Sequence, residues 1–84
     1  MPNVVVVPET VMVGEIEWSM DDIQALSDLY SGNQFVTLGK EEIRNSALLQ
    51  KALASGAIDI PGLQSGDTAM LLIAQVGLDL IGLL

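Results

Sequence analysis

TAMLLIAQVGLDLIGLL, residues 68–84, is apolar almost throughout, with polar side chains only at Thr68, Gln75 and Asp79. How this run folds decides the architecture. As two strands it would turn near Gly77. As a helix it would be capped by Asp67 and weakened by Gly77 and Gly82. Periodicity does not separate the two, because a buried strand and a buried helix both read as continuous hydrophobicity. The Pro61-Gly62 and Gly66-Asp67 turn signals just upstream favour strands. The expectation is therefore an apolar C-terminal strand pair, with a C-terminal helix as the alternative. The run is shorter than the roughly 20 apolar residues that span a bilayer. It also carries an acid and a glutamine, so a membrane anchor is the minor reading.

Working back from this run, Ile58 and Ile60 flank Asp59 in a period-two strand that Pro61-Gly62 ends, and residues 64–67, QSGD, read as a turn. Residues 39–55 predict one helix. Glu41 and Glu42 fall in its first turn, Leu48, Leu49, Ala52 and Leu53 form an apolar face, and Gly56 stops it. Residues 33–38 are a short extended piece containing Phe35. Ser19-Met20-Asp21-Asp22 is a capping-box pattern that opens an earlier helix. In that helix Met20, Ile23, Leu26, Leu29 and Tyr30 recur at helical spacing up to a stop at Gly32. In residues 10–18, Val11, Val13, Ile16 and Trp18 alternate around Gly14, as in a bent strand or a strand pair. The β-branched run at residues 4–7, closed by Pro8, reads as a short edge strand. The expected fold is a single α+β domain over residues 1–84, with short N-terminal strands, two helices and an apolar C-terminal strand pair.

The charge pattern is the second signal. The chain has 11 acids against three basic residues, a net charge of −8. All three basic residues, Lys40, Arg44 and Lys51, lie in the predicted 39–55 helix. At about 100° per residue they would share one narrow stripe of a continuous helix. Acid predominates everywhere else, which disfavours direct contact with nucleic acid phosphates or anionic membranes. Half the residues are hydrophobic and only 17% are charged, against about 25% charged in an ordinary domain. A chain of 84 residues encloses a small interior. Apolar surface, above all in Met70–Val76 and Leu78–Leu84, is expected to remain outside it for a partner or an oligomer to cover.

The sequence argues against most catalysis. It has no Cys and no His, so it has no disulfide framework, thiolate metal site, thiol nucleophile or imidazole base. Serine and threonine hydroxyls have only two lysines as nitrogen bases, and there is no Gly-x-Ser-x-Gly. The acid pairs Asp21-Asp22 and Glu41-Glu42 sit where helix dipoles and caps call for acids, and adjacent helical residues diverge by about 100°. Residues 32–40 space Gly and Gly-Lys too widely for a phosphate-binding loop and follow them with Glu41 instead of Ser or Thr. Trp18, Tyr30 and Phe35 are too few for a stacking platform. No metal or cofactor is expected. The start, MPNVVVVPET, lacks the basic region of a signal peptide.

Residues 35–60, FVTLGKEEIRNSALLQKALASGAIDI, combine an extended piece, a helix with an internal SALLQ, a glycine stop and a short strand. This stretch, about a third of the chain, resembles small structural proteins of tailed-phage virions such as decoration, neck or tail components. The resemblance implies a non-enzymatic virion subunit and no catalytic residues. On this reading the chain is a homo-oligomer or binds a major assembly protein. Lys40, Arg44 and Lys51 would dock on acidic surface of a neighbour, and Trp18, Leu72 and Leu80 would supply apolar contact. The alternative is an acidic inhibitor that occupies a basic, nucleic-acid-binding site on a host protein and works in the host cytoplasm.

Overall fold

The computed structural model describes residues 9–62 and 65–84, so the strand expected at residues 4–7 and part of the turn expected at residues 64–67 lie outside the described residues. The first elements of the described residues are a hairpin of β1 (Thr10–Val13) and β2 (Ile16–Ser19). Val13 pairs Ile16 and Val11 pairs Trp18, and these four side chains share the inner face of the hairpin. Met12 and Glu17, also paired, share the outer face. The two-residue turn places Gly14 at φ 62, a backbone region that glycine enters without strain.

Ser19 ends β2 and caps α1 (Met20–Tyr30) through a complete capping box. Its hydroxyl accepts from the Asp22 N–H at 3.1 Å, and its own N–H donates to the Asp22 carboxylate at 3.3 Å. Ile23, Leu26 and Tyr30 are the buried stripe of α1. The left-handed C-cap falls on Ser31, one residue before the expected stop at Gly32.

The predicted single helix over residues 39–55 is two helices, α2 (Lys40–Asn45) and α3 (Ala47–Ser55). The break is at Ser46, whose backbone is extended and whose hydroxyl accepts from the Leu49 N–H at 3.2 Å. Asn45 and Ser46 both compete for backbone hydrogen bonds with their own side chains, which disfavours a helix interior and favours a cap. Gln50 Nε2 donates to the Ile43 carbonyl at 3.0 Å and ties the two helices across the break.

The main sheet has the order β3 (Phe35–Gly39), β5 (Thr68–Ile73), β4 (Ile58–Asp59), with β5 central and antiparallel to both neighbours. The α2–α3 pair therefore carries the chain from one edge of the sheet to the other. The C-terminal run is neither the expected strand pair nor one helix. It is the central strand β5 followed by α4 (Gln75–Ile81).

The reason lies at Gly77, which is buried in α4. A Cβ added there would run into the Ala57 carbonyl oxygen and stand 2.9 Å from Ile73 Cγ1. Ala57 O also accepts from the Ala74 N–H at 2.9 Å. The glycine is a site of close backbone approach inside a helix. Trp18, Ile23, Leu26, Tyr30, Ile43, Leu49, Ile58, Leu71 and Leu80 fill one core together with small Ala52, Ala57 and Ala69. With both strands and helices around that core, the chain is an α+β domain, with four helices among the described residues where two were expected.

Candidate interaction surface

The break at Ser46 undoes the continuous basic stripe. Lys51, now on α3, reaches toward the start of α1. Its ammonium donates to Asp22 Oδ2 at 2.7 Å and sits 5.7 Å from the centroid of the Trp18 ring. The Trp18 indole Nε1 donates to Ser55 Oγ at 2.9 Å, one turn further along α3. The Lys51 hydrogen bond, with the Ser19 amide and hydroxyl in support, holds the Asp22 carboxyl below its ordinary pKa against the opposing effect of burial. This cluster fastens α3 to the start of α1. Lys51, expected to dock on a neighbour, pairs within the chain with Asp22, and both side chains remain about a third exposed.

Lys40 and Arg44 remain together on α2. With Ile43, Leu53, Ile60 and Ala69 they line a groove of about 340 Å³ between the two short helices and the main sheet. Ile60, just past β4, is 39% exposed. Arg44 pairs with Glu41 at 2.5 Å, and the two side chains are 69% and 75% exposed. An exposed pair of this kind is worth only about 0–1 kcal/mol, so Arg44 can exchange Glu41 for another carboxylate at little loss.

The second surface is α4. Gly77 and Leu80 face inward, while Leu78 lies 50% exposed and Leu83 53%. A cleft of about 560 Å³ lies along one flank, walled by Asn33, Gln34, Leu72, Ile73, Leu78 and Ile81 among others. Phe35, which pairs with Leu72 across β3 and β5, is 51% exposed. A shallower groove of about 300 Å³ lies against the hairpin, where Met12, Val76, Asp79 and Leu83 meet.

The expected contact residues thus divide into three groups. Lys40 and Arg44 share one groove, and Leu72 lines another. Lys51 is internal. Trp18 and Leu80 are corrected to core residues: Trp18 is fully buried, and Leu80 is 3% exposed where it lines the groove against the hairpin. Met12 and Ile60 were missed, whereas Leu78 and Leu83 fall in the stretch Leu78–Leu84 expected to be covered. Met12 was legible, because it falls at the outward position of an alternating strand (with Val11 and Val13 inward). Which leucines of that stretch face outward was not legible, because an all-apolar run has no outward face until its tertiary contacts are known.

The described residues contain no group of three or more His, Cys, Asp or Glu placed to hold a metal ion, and no helix among them is long and apolar enough to cross a membrane. Of the acid pairs, Asp22 serves the cap and Lys51, and Glu41 serves Arg44. The surface can offer hydrophobic contact with charged rims. No protein-family model, curated protein or solved structure matches this chain.

Proposed function

We propose that this chain is a non-enzymatic structural subunit of a symmetric assembly, of the kind that decorates a phage particle or builds its neck or tail. One observation carries the reading. Met12, Phe35, Ile60, Leu78, Leu83 and Leu84 stand 39–58% exposed on a domain of only 84 residues. Large apolar side chains left outside a small core are surface that association would cover. The proposed virion location rests on the resemblance noted in the sequence of residues 35–60 alone. An acidic inhibitor would gather its carboxylates on one face. Here the exposed acids Glu15, Asp28, Glu42, Asp59 and Asp79 are distributed over the hairpin turn, α1, α2, β4 and α4, so the assembly reading is preferred.

Native mass spectrometry and sedimentation across protein and salt concentration test it. A discrete oligomer supports it. A monomer at every concentration and ionic strength overturns it.

A further inference from the structure

We infer that the outer edge of β3 pairs with the same edge of a second copy of this chain, antiparallel across a two-fold axis at Thr37. The inference deepens the assembly reading and rests on it.

β3 is an outer strand of the main sheet, and among the described residues no strand pairs with its other edge. The Ile73 N–H donates to the Gln34 carbonyl at 3.0 Å, and the Lys40 N–H to the Asp67 carbonyl at 2.7 Å. With Phe35 opposite Leu72 and Thr37 opposite Met70, these bonds set the phase of the ladder. The backbone groups of Val36 and Leu38 point toward β5. Those of Phe35 and Thr37, together with the Gly39 N–H, point away from it. Such a row of donors and acceptors is completed by another extended strand. Strand edges are ordinarily guarded by charge, proline or a bulge, and β3 has none of these. The other outer strands are guarded. β4 is two residues long, contains Asp59 and leads to Pro61, and the hairpin holds Glu9, Glu15 and Glu17 in or beside its strands.

This edge is self-complementary. Val36 and Leu38 pack against the core, so Phe35 and Thr37 take the opposite face, where Phe35 is 51% exposed. With Thr37 opposite Thr37 of the second copy, Phe35 falls opposite that copy's Gly39. The Thr37 N–H then donates to the Thr37 carbonyl across the axis, and the Gly39 N–H to the Phe35 carbonyl, each bond occurring twice by symmetry. A Cβ at Gly39 would meet nothing nearer than the Asp67 carbonyl oxygen at 3.9 Å, which leaves room beside this strand glycine for an aromatic ring. Charge points to the same contact. Two copies that each carry a net charge of −8 repel in most orientations. Yet no carboxylate lies between Asp28 and Glu41 in the chain, and β5 behind the edge carries none. A two-fold contact closes on itself, so an assembly built with it holds an even number of copies.

Thr37→Lys and Thr37→Glu test the contact, with far-UV circular dichroism to check folding. Each variant alone should associate at least about tenfold more weakly than the parent chain, since each sets like charges opposite one another on the axis. Thr37→Lys also reduces the net negative charge, so weaker association of this variant reports the edge and not overall repulsion. An equimolar mixture should form a one-to-one complex of the two variants, resolved by mass in native mass spectrometry. In the parent chain, the Thr37 and Gly39 amides should exchange hydrogen more slowly as protein concentration rises through assembly. Thr37→Lys association at parental strength, a mixture no tighter than its components, or concentration-independent exchange at Thr37 in an associating parent chain overturns the proposed contact. A parent chain that never associates overturns the assembly reading itself, so the two failures are distinguishable.

Discussion

Gly77→Ala sets two rules of opposite sign against each other. In an exposed helix interior, alanine stabilises relative to glycine by about 0.8–1 kcal/mol. In α4 the added methyl meets the Ala57 carbonyl oxygen and, 2.9 Å away, Ile73 Cγ1. The first of these is backbone and cannot rotate aside. Overpacking of this kind costs about 1–3 kcal/mol. Pushing the Ala57 carbonyl away also loosens its 2.9 Å bond from the Ala74 N–H, a further loss of about 1 kcal/mol. The net expectation is a destabilisation of about 2 kcal/mol. For a domain of this size that corresponds to a fall in Tm of roughly 8–16 °C. Thermal unfolding followed by circular dichroism at fixed protein concentration measures it.

Gly82→Ala is the internal control. Gly82 has right-handed helical dihedrals, and an added Cβ would come no closer than 3.4 Å to the Leu78 and Asp79 carbonyl oxygens. That change should be neutral within about 0.5 kcal/mol, or mildly stabilising. A Gly77→Ala protein as stable as the parent chain would refute the close approach of α4 to Ala57 and the packing that depends on it.

Three further outcomes follow from the cluster at Trp18 and from Tyr30. Ser55→Ala removes the acceptor of the buried Trp18 indole N–H, and urea unfolding should show a loss of about 1–3 kcal/mol; an unchanged midpoint would mean that this bond is not made. Because the folded Asp22 carboxyl titrates below its ordinary value of 3.8, its contribution is present above that pH and is lost as pH falls through the lower folded value. Asp22→Asn should therefore flatten the acid limb of a stability-against-pH curve, and an acid limb identical to the parent's would contradict the Lys51 pairing. Tyr30 donates to the Leu71 carbonyl at 3.2 Å, and its pKa is pushed up to about 12 by burial and then by the Asp59 charge. Its neutral form is full strength below the unfolded value near 10.0, and its contribution is lost as pH rises toward 12; Tyr30→Phe should remove the alkaline unfolding step in that window.

Much of the fold was legible where a short-range rule operates. The capping box at Ser19 and Asp22 and the alternation of Val11, Val13, Ile16 and Trp18 around Gly14 are decided within a few residues, and the structure follows them. The break at Ser46 was also written locally, in Asn45-Ser46, but the apolar pattern of Leu48, Leu49, Ala52 and Leu53 continues through α3 and masks it. Angular arguments about Lys40, Arg44 and Lys51 assumed an unbroken axis. Once α3 turns away, Lys51 meets a carboxylate 29 positions back in the chain, a neighbour no local pattern can announce.

By itself the sequence determined the composition of this molecule's surface: few charges, nearly all acidic, and more apolar side chain than a small core can take in. It also determined where most helices and strands begin, because caps and turns are local chemistry. Tertiary structure alone decided what each apolar residue is for. Leu71 and Leu80 lie in the core, while Leu78 and Leu83 lie outside it. The run at residues 68–84 became a strand and a helix because β5 pairs with β3 and β4, and because Gly77 lets α4 lie against Ala57. A uniformly hydrophobic run carries no internal reference for inside and outside, so only the elements packed against it could supply one.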